Sequence, residues 1–196
     1  MRVVVSEFMS LDGVMQAPGG QQEDTSGGFE HGGWSQPYFD PEVMGAAVAG
    51  IAERGGALLQ GATTYRVSAG AWPEQGGNAF ADWINQAQKY VVSDSLTDGD
   101  ITWQPTTIIR SADLITEVSK LREQPGGDIY VYGSLSIARA LLDAGLVDEL
   151  ALMIEPLTLG GGKTLFPTDG RVRTFELISA ETAATGVLVC RYRPIR

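Results

Sequence analysis

The chain has one cysteine and one histidine in 196 residues, and this shortage excludes several kinds of site. A zinc centre built from nitrogen and sulfur ligands needs three or four such side chains, so we predict no metal. Cys190 has no second cysteine for an internal disulfide, and its apolar surroundings in the sequence predict a thiol buried in a strand. His31 lies in a glycine-rich loop, which favours a solvated residue over the base of a serine or cysteine nucleophile.

Basic residues and long apolar runs are also scarce. The chain carries 14 Lys and Arg against 24 Asp and Glu, a formal net charge of −10, without any basic cluster. Nucleic-acid and anionic-membrane binding depend on basic patches, so neither partner is expected. No run of about 18 apolar residues is present, and the strand-like Val3-Val4-Val5 follows Met1-Arg2 without room for a signal peptide. We therefore predict a cytoplasmic protein whose partner is a small-molecule substrate.

Helical and strand periodicities alternate along the chain, and glycines mark most of the turns between them. Two neighbouring strand-like runs at 174–180 and 186–192 predict a C-terminal antiparallel hairpin. Together these patterns predict an α/β fold with three layers, a mixed and mostly parallel sheet with helices on both faces. Residues 1–196 are expected to form a single domain, because domains usually have about 100–200 residues.

Residues 128–166 carry the most informative pattern, which is strand, glycine turn, helix, strand and glycine loop. Gly133-Ser134 separates an aromatic and β-branched run from apolar residues at helical spacing. A helix start offers unpaired amides and the positive end of the helix dipole, so this turn predicts a phosphate site, with a plain strand-to-helix turn as the alternative. The later loop that ends in Lys163-Thr164 is not a P-loop, because Leu157 occupies the position of that motif's first glycine.

Four motifs, in this order and spacing, cover almost the whole chain and carry a family resemblance. They are Ser10-Leu11-Asp12-Gly13, the run from Leu58 to Tyr65, the run from Tyr132 to Leu142, and the run from Gly145 to Phe166. The chain resembles the dihydrofolate-reductase-like superfamily and, within it, the reductase domain at the C-terminus of the riboflavin-biosynthesis enzyme RibD. The resemblance implies a dihydrofolate-reductase-like sheet that binds a reduced nicotinamide dinucleotide, typically NADPH, and a chain that pairs as a homodimer.

The resemblance also implies the residues of the cofactor site. The pyrophosphate would be held at two helix starts, by Gly61, Thr63 and Thr64 at the first and by Gly133, Ser134, Leu135 and Ser136 at the second. Ser93 would contact the adenosine ribose or its 2′-phosphate, with Arg110 close enough to assist. The family often has an arginine after the glycine of the first motif, and here that position is Ala62, so NADH remains possible beside NADPH.

Hydride transfer also needs a proton source. Asp12 is the candidate acid, because the family pattern places its turn beside the nicotinamide, and the alternative is an aspartate that satisfies its own turn. Glu7 is the second catalytic candidate. Glu155, which precedes Pro156, and Lys163 each have two interpretations, a role at the site and a purely local one. The long loop from Gly19 to Trp34 is interpreted as a lid over nicotinamide and substrate.

The chain differs from its relatives in two other respects. Folate reductases carry a carboxylate on the first helix, whereas Asp40 and Glu42 here lie at its very start, which argues against a true dihydrofolate reductase. The zinc motif of the upstream deaminase domain is absent from this sequence. The sequence therefore predicts an NAD(P)H-dependent reductase of a small heterocyclic or carbonyl substrate, similar to 5-amino-6-(5-phosphoribosylamino)uracil reductase. The alternative is a non-catalytic nucleotide-binding or flavin- or folate-binding protein on the same fold.

Overall fold

The structure is a computed structural model and describes residues 1–195. Within that range eight strands form one sheet, in the order β4-β3-β2-β5-β1-β6-β8-β7. The strands are β1 (Val3–Ser10), β2 (Gly55–Gly61), β3 (Gln88–Val92), β4 (Thr106–Ile109), β5 (Asp128–Tyr132), β6 (Glu149–Glu155), β7 (Phe175–Thr182) and β8 (Leu188–Pro194). The helices are α1 (Val43–Arg54), α2 (Ala62–Ala71), α3 (Ala79–Gln86), α4 (Leu114–Glu123) and α5 (Leu135–Asp143). The predicted mixed, mostly parallel sheet with a C-terminal hairpin is confirmed.

The contacts divide the chain into two compact units. The first unit comprises residues 1–5 and 48–148. In it β2 pairs in parallel with both β3 and β5, and β3 pairs in parallel with β4. The central strands β2 and β5 carry the buried runs Ala57-Leu58-Leu59 and Ile129-Tyr130-Val131, as expected for the interior of a parallel sheet. The helix α3 begins after Asn78, whose side chain accepts a 2.9 Å hydrogen bond from the Ala81 amide and caps the helix.

The second unit comprises residues 6–47 and 149 to the C-terminus. In it β8 pairs antiparallel with β6 on one side and with β7 on the other. Cys190 lies on β8 and is 3% exposed, so the predicted buried strand thiol is confirmed. The single domain over 1–196 stays a prediction. Among residues 1–195, no helix combines the length and the hydrophobicity that a bilayer crossing requires.

The long loop of the second unit has a core of its own. Val14, Ala17, Phe29 and Trp34 form a buried apolar cluster. Trp34 also donates a 2.7 Å hydrogen bond from its indole N–H to the Gln16 carbonyl. Trp34 is therefore a packing residue of this loop. The lid role of residues 19–34 stays a prediction.

Candidate functional site

The two predicted helix starts of the first unit follow neighbouring parallel strands. Helix α2 starts at Ala62, directly after β2, and α5 starts at Leu135, with two residues between it and the end of β5. Because β2 and β5 pair in parallel, their carboxyl ends lie at the same edge of the sheet, where ligands of such sheets bind. The chain thus places both turns where a phosphate site is expected.

The Ser134 side chain connects these two turns. Its Oγ accepts a 2.6 Å hydrogen bond from the Gly61 amide and lies 2.9 Å from Thr64 Oγ1. Ser134 itself has left-handed backbone angles, φ 76° and ψ 83°, which an L-residue rarely adopts. Such strain costs about 1–3 kcal/mol and persists where the surrounding structure enforces it, often at a functional site. The hydroxyl therefore cross-links two helix starts that are 73 positions apart in sequence.

Neither glycine of the cross-linked turns has room for a side chain. A Cβ atom on Gly61 would lie 2.6 Å from Ser134 Oγ, and one on Gly133 would lie 2.8 Å from Thr64 Cγ2. Gly133 also has φ +79°, so any side chain there would add backbone strain. We call the set Gly61, Thr64, Gly133 and Ser134 the phosphate cradle, since only backbone and two hydroxyl side chains form its centre.

The cradle lies at the amino ends of two helices long enough to carry a dipole. The helix α2 has 10 residues and α5 has 9. The first amides of a helix have no acceptor within it, and together with the dipole they favour an anion. Thr63 is exposed in the first turn of α2, and Leu135 and Ser136 open α5. The structure thus brings together all the predicted cofactor residues except Ser93.

Ser93 and Arg110 have a local structural role. Ser93 is buried, and its Oγ accepts hydrogen bonds from the amides of Ser95 and Leu96 at 3.2 and 3.0 Å. The Arg110 guanidinium donates to the carbonyls of Ser93 and Leu96 at 2.9 and 3.0 Å. These contacts hold the turn after β3, and the predicted contact to the cofactor stays a prediction. Spacing could not reveal that these groups were already bound locally.

One buried amide beside the cradle was missed by the sequence analysis. Gln60 precedes Gly61 on β2 and its side chain is fully buried. Neither of its amide atoms has a hydrogen-bond partner among residues 1–195, although buried polar atoms are almost always paired. A glutamine within an apolar strand was the available signal, and it marks the end of β2 as an unusual environment.

In the second unit Asp12 fastens a loop. Its carboxylate accepts hydrogen bonds from Ser10 Oγ at 2.5 Å, and from the amides of Leu159 at 3.1 Å and Gly160 at 2.8 Å. The Ser10 hydrogen bond is the main cause that lowers the pKa of Asp12, and the backbone hydrogen bonds add to it, while burial acts in the opposite direction. An exposed carboxylate held in this way is ionised at neutral pH. The geometry therefore matches the aspartate that satisfies its own turn, and its role as the acid stays a prediction.

Glu155 is the buried acid of this unit. It ends β6 with no exposed surface, and burial raises its pKa to about 7. Its Oε1 accepts a 2.7 Å hydrogen bond from Ser35 Oγ, and its Oε2 accepts a 3.3 Å bond from the Met9 amide. A carboxyl group whose pKa lies near neutrality can both hold and release a proton at physiological pH. Strongly shifted groups of this kind concentrate at functional sites.

Glu7 and Lys163 are also placed by the structure. Glu7 is buried on β1, and the alternation of that strand directs it to the same face as Met9 and opposite to Ser10. Its catalytic role stays a prediction. The Lys163 ammonium forms an ion pair with Asp24, which lies in the long loop from Gly19 to Trp34. Lys163 is therefore engaged within the second unit.

Metal ligands are not clustered in this structure. Across residues 1–195, no group of three or more His, Cys, Asp or Glu side chains has an arrangement that could hold an ion.

Comparison with known proteins places these features in context. The Bacillus subtilis (strain 168) protein YyaP, named as uncharacterized, is 34% identical over 109 residues. That match covers 56% of this chain and 56% of YyaP, so the chain matches little more than half the length of this curated relative.

Two solved structures show the same fold. A protein assigned to riboflavin biosynthesis from Shewanella sp. PV-4 is 18% identical with a TM-score of 0.73, and the match covers 100% of both chains. Dihydrofolate reductase from Enterococcus faecalis, complexed with NADP(H) and RAB-propyl, is 14% identical with a TM-score of 0.59, covering 100% of this chain and 97% of that one. The dihydrofolate-reductase-like fold implied by the four motifs is confirmed.

The family model described as RibD C-terminal domain matches residues 1–189, nearly the full sequence. The chain belongs to the RibD C-terminal domain family.

Proposed function

We propose that the chain is a reductase that uses a nicotinamide dinucleotide to reduce a small heterocyclic or carbonyl substrate. Family membership and the dihydrofolate-reductase-like fold support this proposal. The observation that carries it is the hydrogen-bonded link from Ser134 to Gly61 and Thr64, which joins two helix starts in one cradle. We expect its reaction to be similar to that of 5-amino-6-(5-phosphoribosylamino)uracil reductase.

The cradle fits the pyrophosphate of such a cofactor. Gly61 and Gly133 leave no room for side chains, so backbone amides can approach a bound anion closely. Thr63, Leu135 and Ser136 would add first-turn contacts at the same two helix starts. When bound, the reduced nicotinamide supplies a hydride to an electron-poor C=N or C=O carbon.

Glu155 is the proton donor in this proposal. Its pKa of about 7 leaves a substantial fraction protonated at neutral pH, whereas the lowered pKa of Asp12 keeps that carboxyl ionised. The Ser35 hydroxyl and the Met9 amide fix the orientation of the Glu155 carboxyl group. Positioning of this kind is what general acid catalysis requires.

NADPH is the proposed cofactor, and NADH is the alternative. Ala62 is the first residue of α2 and provides no positive charge for a 2′-phosphate. We expect Ala62→Arg to raise the preference for NADPH over NADH by about fivefold, since an exposed charge contact contributes about 1 kcal/mol. The ratio of the two dissociation constants measures this effect, and an unchanged ratio would place the adenosine end elsewhere.

The test of the function has two stages. Binding of NADPH and of NADH is titrated by quenching of tryptophan fluorescence, since the chain has four tryptophans. Oxidation of the cofactor is then followed with riboflavin-pathway pyrimidines, dihydrofolate and small carbonyl compounds. We expect saturable binding and turnover with one of these classes. Binding without turnover would favour the non-catalytic nucleotide-binding protein, and binding of a flavin or folate without a dinucleotide would favour a carrier.

The homodimer implied by the family resemblance is retained as a proposal. Sedimentation velocity of the purified chain over a range of concentrations tests it directly, because a dimer would have twice the monomer mass.

A further inference from the structure

The second unit contains an apolar cavity that the proposed reductase chemistry does not use. Its volume is about 390 Å³, within the range of roughly 300–1,000 Å³ that is usual for ligand pockets. The main apolar side chains that line it are Met9, Leu150, Leu152, Ile154, Phe166 and Phe175. We call it the C-terminal cavity.

Strand pairing explains why this cavity is apolar. Leu150, Leu152 and Ile154 alternate along β6 and therefore share one face of the strand. Leu150 pairs directly with Tyr192 on β8, and Tyr192 also lines the cavity. Directly opposed residues of antiparallel strands lie on the same face, so β6 and β8 together form its floor. Burial raises the pKa of the Tyr192 phenol, which keeps its ring neutral at physiological pH.

Two arginines lie at the margin of this apolar floor, and they differ in their partners. Arg173 forms a two-point ion pair with Asp169, at 3.0 Å to Oδ1 and 2.8 Å to Oδ2. The Arg171 backbone amide also donates to Asp169 Oδ1, which fixes the bend of this segment. The Arg171 guanidinium is exposed and has no hydrogen-bond acceptor among residues 1–195, although Asp169 is near enough to influence it electrostatically.

We propose that the C-terminal cavity binds a small amphipathic anion, with an aromatic or aliphatic body on the β6–β8 floor and a carboxylate at Arg171. Charge complementarity supports this ligand. Both charged residues that line the cavity are cationic, in a chain whose formal net charge is −10. A planar guanidinium with unused donors matches a carboxylate in a two-point geometry. A neutral apolar ligand would contact only the apolar floor and would not engage the Arg171 guanidinium.

A carboxylate of this size is favoured over a second copy of the chain as the occupant. A volume of about 390 Å³ is that of a small-molecule pocket, and its two arginines favour an anionic group, which a small carboxylate supplies. The proposal does not depend on the proposed reductase activity, because Arg171 and the β6–β8 floor belong to neither the phosphate cradle nor the Asp12 site. Met9 lines the cavity and also donates its backbone amide to Glu155, so the test variants are placed at other residues.

The test uses 2-naphthoate as the probe and 2-naphthalenemethanol as its uncharged counterpart, with the full-length protein. Binding is measured by calorimetry, and the site is located from methyl NMR shifts of Leu150, Leu152 and Ile154. We expect saturable naphthoate binding that shifts these methyl groups. Arg171→Gln should weaken naphthoate about tenfold and change the affinity for the alcohol less than twofold.

Arg193→Gln is the matched control, because Arg193 is an exposed arginine of β8 whose partner is Glu176 at 3.5 Å and which does not line the cavity. It should leave both affinities unchanged. Ile154→Trp should fill the cavity and abolish binding of both probes, with circular dichroism as the check that the variant folds. If that variant does not fold, the methyl shifts of the wild-type protein decide the location.

Three results would overturn the proposal. Naphthoate that fails to saturate, or that shifts methyl groups elsewhere, would show that the cavity does not take this ligand. Equal losses for Arg171→Gln and Arg193→Gln would show a general charge effect. Methyl shifts that depend on protein concentration and not on naphthoate would show that a second copy covers this face.

Discussion

In the first unit the ends of β2 and β5 present amides and hydroxyls, whereas in the second unit the ends of β1 and β6 present carboxylates. The centre of the cradle consists of Gly61, Thr64, Gly133 and Ser134, all of them uncharged. The turn after β1 carries Asp12, and β6 ends in Glu155. The first arrangement is suited to hold an anion and the second to manage a proton, which are the two requirements of a dinucleotide-dependent reduction.

The environments of the two carboxylates in the second unit shift their pKa values in opposite directions. Asp12 is exposed and hydrogen bonds to its ionised form lower its pKa. Glu155 has no exposed surface, and desolvation outweighs its hydrogen bonds and raises its pKa to about 7. Groups whose pKa values are pushed apart take different roles, which supports a structural role for Asp12 and the proposed donor role for Glu155.

Replacement of the donor should produce the largest effect on activity. Glu155→Gln keeps the size of the side chain but cannot release a proton. Its amide oxygen can accept from the Met9 amide while its NH2 group donates to Ser35 Oγ, so both neighbours keep a partner. We expect kcat/KM at pH 7 to fall by about 10³-fold, within the range of general acid catalysis. The affinity for NADPH should stay within about twofold, since Glu155 belongs to the other unit than the cradle.

The pH dependence checks the same assignment. If Glu155 is the donor, kcat/KM of the wild-type protein should fall as pH rises through about 7, because the protonated carboxyl is lost. Stability should respond with the same sign. A folded-state pKa raised from 4.5 stabilises the protein fully below about pH 4.5, and this contribution, about 3 kcal/mol, is lost as pH rises through about 7. Urea unfolding of the wild type and of Glu155→Gln across this range measures the difference, and parallel curves would contradict the assignment.

The next largest effect should come from the cradle. An added Cβ at Gly61 would lie 2.6 Å from Ser134 Oγ and would break the link between the two helix starts. We expect Gly61→Ala to weaken NADPH binding about 100-fold. The matched control is Gly70→Ala in α2, the helix that follows Gly61. An added Cβ at Gly70 meets no atom within 4 Å. That control should leave binding unchanged and raise stability by about 0.5–1 kcal/mol.

Much of this cradle could be predicted from sequence, because local patterns determine it. A β-branched run before Gly133 and helical spacing after Ser134 define a strand-to-helix turn without any knowledge of tertiary contacts. Gly61 before a short helix gave a second turn of the same kind. The parallel pairing of β2 with β5 then brings the two turns to one edge of the sheet. The fold followed from the same alternation of strands and helices, with the final hairpin recognised from its two adjacent strands.

The remaining features depend on distant partners, which spacing does not reveal. The hydroxyl of Ser134 meets the Gly61 amide 73 positions away, and Glu155 meets Ser35 120 positions away. The raised pKa of Glu155 arises from complete burial, which a carboxylate at a strand end does not indicate by itself. Ser93 illustrates the opposite case, since family position suggested a ligand contact while its hydroxyl serves the adjacent turn.

Loss of the Ser134 hydroxyl should have a smaller effect than the loss of space at Gly61. Ser134→Ala removes the acceptor of the Gly61 amide and keeps the left-handed strain, and we expect NADPH affinity to fall about tenfold and stability by about 1–2 kcal/mol. Ser134→Gly removes the same hydroxyl but relieves the strain. The Ser134→Gly variant should bind NADPH as weakly as Ser134→Ala does, and it should unfold at a higher temperature than Ser134→Ala. Equal melting temperatures would show that residue 134 stores no strain.

Asp12 provides the smallest expected change in activity and the sharpest check on the two carboxylates. Asp12→Asn removes the charge that the amides of Leu159 and Gly160 donate to, but it keeps the size of the side chain. We expect kcat/KM at pH 7 to change less than threefold, because an ionised carboxylate is not the donor. Stability should fall by about 1 kcal/mol after allowance for solvent screening. Since the folded-state pKa is lowered, this contribution is present above about pH 3.8 and is lost as pH falls further, so the two proteins should converge in acid. A loss of activity as large as that of Glu155→Gln would instead indicate that Asp12 is the acid and that Glu155 has a structural role.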